Sequence, residues 1–537
     1  MNNNATCFRT LTEIIGQVTD EYLDSIDMDD VPALEVIESE LLNAVIDQVV
    51  MENQVRPKSV KIKVPQTLTK YQIAKVIAYI YPIRRVNCGS ADSENHLLCI
   101  YQDSGENEGL YIEATETIKK AAQELNKASE GLNVDGVVSI VKSMVPVVDR
   151  TLDKNKIAVN NGIFNFESKE LEPFDSKYVF LSKSAVNYNP AASNIVIHND
   201  EDGTDWDVES WMESLSDDPE IVSLLWEIVA ASVRPLNEWD KCILFYNEVG
   251  NNGKGTLCQL IRNLSGINSC ISIPFSDFGN EYALNGLINK SLVVTDENDV
   301  GDFLAKAGKF KSVATGDVIR VNRKFKDHID FRFRGLIIEC INELPRVKDK
   351  SDSFYRRLLI VPFTKCFTGS ERKYIKHDYL QRQEVLEYVL YKVIHMDFDK
   401  LSEPLACNQL LGEYKNYNDT IRQFLSEILE QTVWDLLPFV FLYDAYKAWF
   451  RKYYSSGILE GRNTFNNDVI RIISERSDWS CPGKTKSIHT GSLMSKPEHL
   501  IAEYGLDDWK NPTYMGPDLD LICMPKLKPN YYGIRRV

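Results

Sequence analysis

The sequence predicts an α/β protein built around a parallel sheet, and three observations carry that expectation. From about residue 205 onward, short apolar runs alternate with helical stretches. The runs are apolar throughout rather than at every second residue, as in strands buried on both faces. Each run also gives way to a polar or glycine-containing loop, where a strand would leave the sheet.

The elements follow in order. Residues 10–55 read as acidic amphipathic helix, with Leu34, Ile37, Leu41 and Val45 at helical spacing. Residues 60–150 mix short strands and helices, and QDSGENEGL (102–110) is a polar loop. Residues 155–190 read as β-rich, with a turn at Asn160-Asn161-Gly162 and strand-like IFNF and YVFL runs. WDVESWMESL and DPEIVSLLWEIVAASV are helices, the second opened by Asp218-Pro219. The strands CILFYN, SLVVTDEND (291–299), GLIIECINE (335–343) and RLLIVPF (357–363) then alternate with helices. Past residue 420 the chain is helical and ends in short strands with prolines and glycines, as in a small winged-helix-like domain. The expected division is an N-terminal α+β domain of unassigned role (1–150), a small β-rich segment (151–205), the α/β core (206–400) and the winged-helix-like domain (415–537).

Bulk properties narrow the function. The chain has 537 residues, 44% hydrophobic and 26% charged, as in a folded soluble protein. It lacks an apolar run long enough for a membrane span, and MNNNATCFRTLTEIIGQ lacks the features of a secretory signal, so a cytoplasmic protein without a membrane partner is expected. The 11 cysteines form no CxxC pair, which argues against both a disulfide framework and a zinc ribbon. They read as reduced, buried, small hydrophobes. The net charge of −17 opposes a general affinity for nucleic acid. The charge is uneven, however. Residues 1–55 hold twelve acids against Arg9, whereas 306–326 hold seven basic residues against Asp317. That basic segment is the expected nucleic-acid contact.

Five motifs carry chemistry. Gly250-Asn251-Asn252-Gly253-Lys254-Gly255-Thr256 follows the CILFYN strand and opens a helix, a setting in which backbone N–H groups face a polyphosphate. Lys254 would reach the β- and γ-phosphates. The motif departs from GxxxxGK[ST] at two places: Glu248 stands at the first glycine, and Gly255 follows the lysine, so the magnesium-binding hydroxyl falls to Thr256. A surface glycine turn is the bland alternative. Asp296-Glu297 ends the strand LVVT, where Asp296 would hold Mg2+ and Glu297 would polarise the attacking water. Asn342, at the end of the strand LIIECI, can hold the same water or the γ-phosphate, although Asn before Glu-Leu-Pro is also good turn chemistry. Arg356-Arg357 precedes LLIVPF and would stabilise phosphoryl charge on a neighbouring subunit's nucleotide. Last, IRVNRKF and IDFRFRG read as two hairpin arms, with Lys311, Arg323, Lys324, Lys326 and His328 as the expected DNA contacts. A solvated charged sheet edge is the competing reading. A second basic cluster, Lys526, Lys528, Arg535 and Arg536, lies in the C-terminal domain.

In this order and spacing the motifs resemble those of superfamily 3 helicases, of the poxvirus-type and satellite-phage primase–helicase kind. GNNGKGT resembles the phosphate loop of that family, VVTDEN its Walker B strand, KSVATGDVIRVNRKFK its DNA-contacting hairpin motif, IIECINELP its sensor strand and FYRRLLIVPF its arginine-finger segment. IAVNNGIFNFESKELEPF, VNYNPAA, FLYDAYKAWF and YYGIRRV extend the likeness over roughly 155–537, and residues 1–150 show none. The resemblance implies an AAA+-type P-loop ATPase core, ATP and Mg2+ as cofactors, and a homo-oligomeric ring, a hexamer, around single-stranded or forked DNA. It also implies service to the replication of a phage, plasmid or other mobile element, with a separate primase or polymerase and a single-strand-binding protein as partners. Primase activity in this chain is not expected, because the DxD at Asp27-Met28-Asp29 lies in acidic helical sequence. Three rivals are a ring translocase that does not separate strands, an initiator that binds DNA with ATP as a structural ligand, and a nucleotide kinase. The kinase reading leaves the basic hairpin and the Asp-Glu pair without a use.

Overall fold

A computed structural model of the chain describes residues 8–89, 95–127, 131–280, 282–298, 303–304, 307–323, 328–347, 349–454, 459–483 and 485–537. Two compact units are present, one of residues 1–349 and 356–407 and one of residues 350–355 and 408–537.

The first unit opens with helices α1 (Leu11–Asp24), α2 (Leu34–Val55) and α3 (Lys70–Ile80). The stretch expected to be one helix is thus two. Pro32 cannot continue a helix, and the Asp27 carboxylate accepts from the Asp29 N–H at 3.0 Å, which makes the DxD a turn. A capping box between Thr10 and Glu13 starts α1. Ile37, Leu41, Val45 and Val49 of α2 are all buried at four-residue spacing. Strands β1 (Ile83–Asn87), β2 (Leu97–Tyr101) and β3 (Tyr111–Glu113), helices α4 (Thr115–Glu124) and α5 (Val134–Met144), and strand β4 (Val147–Asp149) follow. Their sheet has the order β3-β2-β1-β4.

Strands β5 (Lys156–Val159), β6 (Gly162–Asn165) and β7 (Glu170–Glu172) form an antiparallel meander. Its first turn requires Gly162, because a Cβ there would stand 2.4 Å from the Glu172 carbonyl oxygen. The YVFL run, 178–181, does not form a strand. It makes a single bridge, Phe180 to Leu110, because its neighbours bond to other segments. A hairpin of β8 (Ile197–Asn199) and β9 (Thr204–Trp206) leads to helices α6 (Val208–Glu213), capped by Asp207, and α7 (Pro219–Val233), capped by Asp218 with Pro219 in its first turn.

The core then alternates: β10 (Cys242–Tyr246), α8 (Lys254–Ser265), β11 (Cys270–Ile271), β12 (Leu292–Thr295), β13 (Phe303–Leu304), α9 (Ala307–Ala314), β14 (Val318–Val321), β15 (Ile329–Arg332), β16 (Leu336–Ile341), β17 (Arg346–Val347), α10 (Asp352–Tyr355, in the second unit), β18 (Leu358–Pro362), α11 (Lys373–His377) and α12 (Gln383–Ile394). The four expected strands form a parallel sheet with a fifth, the two-residue β11, at its edge, in the order β11-β12-β16-β10-β18. Ile243, Phe245, Val294, Ile338 and Val361 are buried in one core with residues of α7, α8 and α12. The expected hairpin is present as antiparallel β14 and β15.

The second unit holds most of α13 (Leu405–Asn418), then α14 (Thr420–Gln431), β19 (Leu436–Pro438), α15 (Phe439–Tyr453), α16 (Arg462–Ser474), β20 (Trp479–Ser480), β21 (Ile488–His489), α17 (Leu500–Glu503), α18 (Leu519–Ile522), β22 (Asn530–Tyr531) and β23 (Gly533–Arg536). Its main sheet has the order β19-β23-β20. No helix among the described residues is long and apolar enough to cross a membrane.

Candidate active site

The sequence motifs at the site hang from the C-terminal ends of three adjacent strands. The register sets Tyr246 of β10 beside Ile341 of β16, and Thr295 of β12 beside Glu339 of β16. The loop after β10, the carboxylates after β12 and Asn342 after β16 therefore emerge at one level. Strands lie about 4.8 Å apart, so the lysine loop and the carboxylates are separated by about 10 Å, with Asn342 between them.

The loop 247–253 is shaped by asparagines. The Asn247 side chain accepts from the Val249 N–H at 2.6 Å and donates to the Phe363 carbonyl. Asn252 donates to the Val249 carbonyl at 2.7 Å. Asn251 and Gly253 take φ of 57° and 88°, which turns the chain sharply into α8. Lys254 then begins the helix with its side chain buried. Its Nζ donates to Asn342 Oδ1 at 2.7 Å, to the Ile341 carbonyl at 3.0 Å and to the Asn247 carbonyl at 3.3 Å. Burial holds this ammonium below the usual lysine range.

Asp296 is gripped by a residue the sequence reading did not single out. Arg262 Nη1 donates to Asp296 Oδ2 at 2.7 Å, and Nη2 to the Val294 carbonyl at 2.9 Å. The other oxygen, Oδ1, is buried and has no hydrogen-bond partner among the described residues. Cys258 Sγ and Cys340 Sγ approach to 3.4 Å next to this carboxylate. Their hydrogen bond, with burial, drives the Cys258 thiol well above its usual range. Lys254, Cys258 and Arg262 are spaced i, i+4, i+8, one face of α8, and that spacing is the signal by which Arg262 could have been found. Glu297 is exposed. The next residue, Asn298, ties the turn to β16: it donates to Glu339 Oε2 and to the Cys340 carbonyl, both at 3.0 Å, and accepts from the Phe275 N–H at 2.8 Å.

Residues 250–256, Asp296, Glu297 and Asn342 line one open cavity of about 320 Å3, together with Lys376 of α11. Lys376 is a second residue missed from sequence. Its Nζ lies 3.6 Å from where a Cβ on Gly255 would stand, so the glycine after Lys254 leaves room beside a second ammonium.

Other expected residues are not gathered here. Arg356 and Arg357 precede β18, whose Leu358 pairs with Cys242 at the start of β10. They sit at the opposite end of the sheet from the loop, about 16 Å away along five residues of strand. In the basic segment, Lys311 lies on α9 and pairs with Asp349 at 2.6 Å, while Arg323 pairs with Glu113 at 2.7 Å. His328 is exposed. Lys324 and Lys326 lie outside the described residues. The Arg332 N–H also donates to the Cys88 carbonyl at 2.8 Å, so the returning arm of the hairpin is bonded to the N-terminal region.

Three families match the chain in succession. Residues 99–217 match "D5 N terminal like", 245–357 match a family of unknown function, DUF5906, and 416–511 match "Poxvirus D5 protein-like". Two of the three matches are thus to D5-type families. The chain's likeness to the poxvirus-type primase–helicases starts at residue 99, further toward the N-terminus than the motifs placed it. No curated protein matches the chain in sequence. Among solved structures, the A-form apo structure of the NrS-1 C-terminal region is similar with a TM-score of 0.42 and 14% identity, covering 83% of this chain and 91% of that one. An apo structure of NrS-1 residues 305–718 gives 0.38 and 12%, covering 76% and 89%.

Proposed function

We propose that this protein is an ATP-dependent replicative DNA helicase that translocates on DNA as a ring and serves the replication of a mobile genetic element. The observation that carries the reading is the convergence of Lys254, Asn342 and the Asp296-Glu297 pair on one cavity. The sheet order supports an AAA+-type core. With β16 inserted between β10 and β12, the lysine and the carboxylates stand far enough apart to admit a γ-phosphate and a water between them.

In this reading the loop N–H groups and Lys254 bind the β- and γ-phosphates, and Lys254 exchanges its carbonyl acceptors for phosphate oxygens. Thr256 and Asp296 would hold Mg2+, and the buried, unpartnered Asp296 Oδ1 fits an oxygen-seeking cation. When bound, the ion neutralises charge on the phosphates. Glu297, exposed at the cavity, orients and polarises water, and Asn342 fixes the phosphate or the water from the strand between. Arg357, or Arg356, lies too far from the loop of its own chain and would serve a neighbour's nucleotide, which is the geometric reason to expect a ring. The basic hairpin would grip the DNA backbone without reading sequence. In the second unit the element order α14-β19-α15-α16-β20, with the later strand β23 completing the sheet β19-β23-β20, supports the winged-helix reading.

The deciding experiment is unwinding of a forked duplex with ATP, beside Lys254→Ala and Glu297→Gln. Lys254→Ala loses nucleotide affinity and turnover together, whereas Glu297→Gln keeps binding and stops turnover. Normal ATP hydrolysis by Glu297→Gln would overturn the assignment of the water-activating residue.

A further inference from the structure

The paired thiols beside Asp296 have no part in the ATP reading. Cys258 Sγ and Cys340 Sγ are 3.4 Å apart, and both side chains are buried. With a carboxylate oxygen of Asp296 they form a cluster whose three ligand atoms all lie within 4.8 Å of one another. Buried cysteines often serve as small core residues, but a carboxylate is no packing partner for buried sulfur.

From this geometry we infer that Cys258, Cys340 and Asp296 form a site for a thiophilic divalent cation, zinc foremost, and that this ion competes with Mg2+ for Asp296. The competition rests on the ATP reading above; the ion site does not. Three observations carry the site. First, the spacing fits. Zinc bonds to sulfur and to carboxylate oxygen are about 2.3 and 2.0–2.2 Å, which sets the ligand atoms of a tetrahedral site about 3.5–3.8 Å apart. Second, one oxygen of the carboxylate is available. Arg262 holds Oδ2 at 2.7 Å, while Oδ1 is buried and has no hydrogen-bond partner among the described residues. Third, the charge balances. Coordination replaces the two thiol protons, which leave to solvent, so two thiolates offset the two charges of the ion, and Asp296 stays offset by Arg262. The cluster is then as near neutral with the ion as without it, which removes the main cost of burying a cation. The thiolates also set the selectivity, because they favour zinc, whereas Mg2+ takes oxygen ligands. Asp296 lines the catalytic cavity, which gives the ion a way in, and three protein ligands leave a fourth position for water.

The cluster joins the elements on which the motifs stand. Cys258 lies one turn after Lys254 on α8, Cys340 lies on β16 two residues before Asn342, and Asp296 follows β12. A bound ion would tie α8 to both strands and occupy the Asp296 oxygen that Mg2+ needs. Lys254 and the loop N–H groups are not its ligands and can still meet phosphates. Nucleotide binding should therefore survive while turnover stops.

The test reads the ion through its bonds to sulfur. Full-length protein, reduced and stripped of metal, is titrated with Cd2+, whose thiolate complexes absorb in the ultraviolet, and then with Zn2+ to displace it. Cys366→Ser removes the exposed thiol and serves as the reference. In that background Cys258→Ala and Cys340→Ala should each bind one thiolate-held ion fewer than the reference, and Cys258→Ser and Cys340→Ser repeat the measurement if alanine lowers folding. Asp296→Asn should weaken binding about tenfold or more, since even residues behind a metal ligand are worth about 10–100-fold. Turnover is then read with ATP and Mg2+ at buffered free Zn2+, and nucleotide binding with the non-hydrolysable analogue AMPPNP. Zn2+ should stop hydrolysis by the reference and spare Cys340→Ala, with AMPPNP bound in both. Equal Cd2+ absorbance in the reference and in both thiol variants would overturn the site, as would a reference without thiolate absorbance. The expected absorbance, with hydrolysis equally sensitive or equally insensitive to Zn2+ in the reference and Cys340→Ala, would overturn the competition. No hydrolysis even without Zn2+ would overturn the ATP reading and the competition with it, while the absorbance, which needs no nucleotide, still decides the site.

Discussion

Replacing Arg262 with Gln tests how Asp296 is kept ready. In the structure Arg262 and Asp296 are joined at 2.7 Å, with side chains 24% and 38% exposed. Breaking a fully buried pair by removing one partner costs about 3–5 kcal/mol. At this exposure solvent replaces part of the lost pairing, leaving about 1–3 kcal/mol. The nucleotide-free variant is therefore expected to melt a few degrees lower than the unsubstituted protein, read by differential scanning fluorimetry. Metal binding should move the other way. With Arg262 in place, a cation at Oδ1 shares the Asp296 carboxylate, and its charge, with a guanidinium on Oδ2; with Gln it does not. The Mg2+ concentration that gives half-maximal stabilisation in saturating AMPPNP should fall by about 5- to 150-fold, the same energy expressed as a ratio. The measurement is the melting temperature against Mg2+ at fixed AMPPNP. If the variant melts like the unsubstituted protein with the same Mg2+ midpoint, the pair does not hold the carboxylate. If the midpoint rises instead, Arg262 presents Asp296 to the metal rather than competing with it.

Four further outcomes are expected. Arg357→Ala alone should be inactive as an ATPase but recover part of its activity when mixed with Lys254→Ala; no rescue at any ratio, with assembly intact, would count against action across a subunit boundary. Lys324→Ala with Lys326→Ala should abolish unwinding while basal ATPase survives, and Glu113→Gln, which releases Arg323, should tighten DNA binding and steepen its salt dependence by about one phosphate contact; a double mutant that unwinds normally would reduce the hairpin to a charged sheet edge. Hydrogen bonding with Thr368 holds the exposed Cys366 thiol below its usual range, so its thiolate is present at lower pH than that of a free cysteine, and iodoacetamide should label it before the buried Cys258 and Cys340, as peptide mapping would show.

Much of the site could be read along the chain. The four apolar runs became strands of one parallel sheet because residues buried on both faces must be apolar throughout, and that pattern survives in a single sequence. The lysine loop and the Asp-Glu pair were legible because each sits directly after such a run. The edge strand β11 was not, because two residues leave no pattern. The YVFL run has strand composition but no continuous partner, so it makes one bridge only.

What the sequence by itself determined is which residue types stand at the strand ends, since local turn chemistry and hydrophobic patterning act over a few residues. What only the tertiary structure decided is which of them meet. Lys254 reaches Asn342 across 88 positions, and Arg262 reaches Asp296 across 34, because the parallel register brings strands of distant sequence to one level. Lys376 comes to the loop from beyond the core motifs, and no spacing announces it. The same register puts Arg356 and Arg357 at the far end of the sheet from the loop. Contacts of this kind are set by how strands pair and helices pack, and packing is a property of the folded chain rather than of any stretch of it.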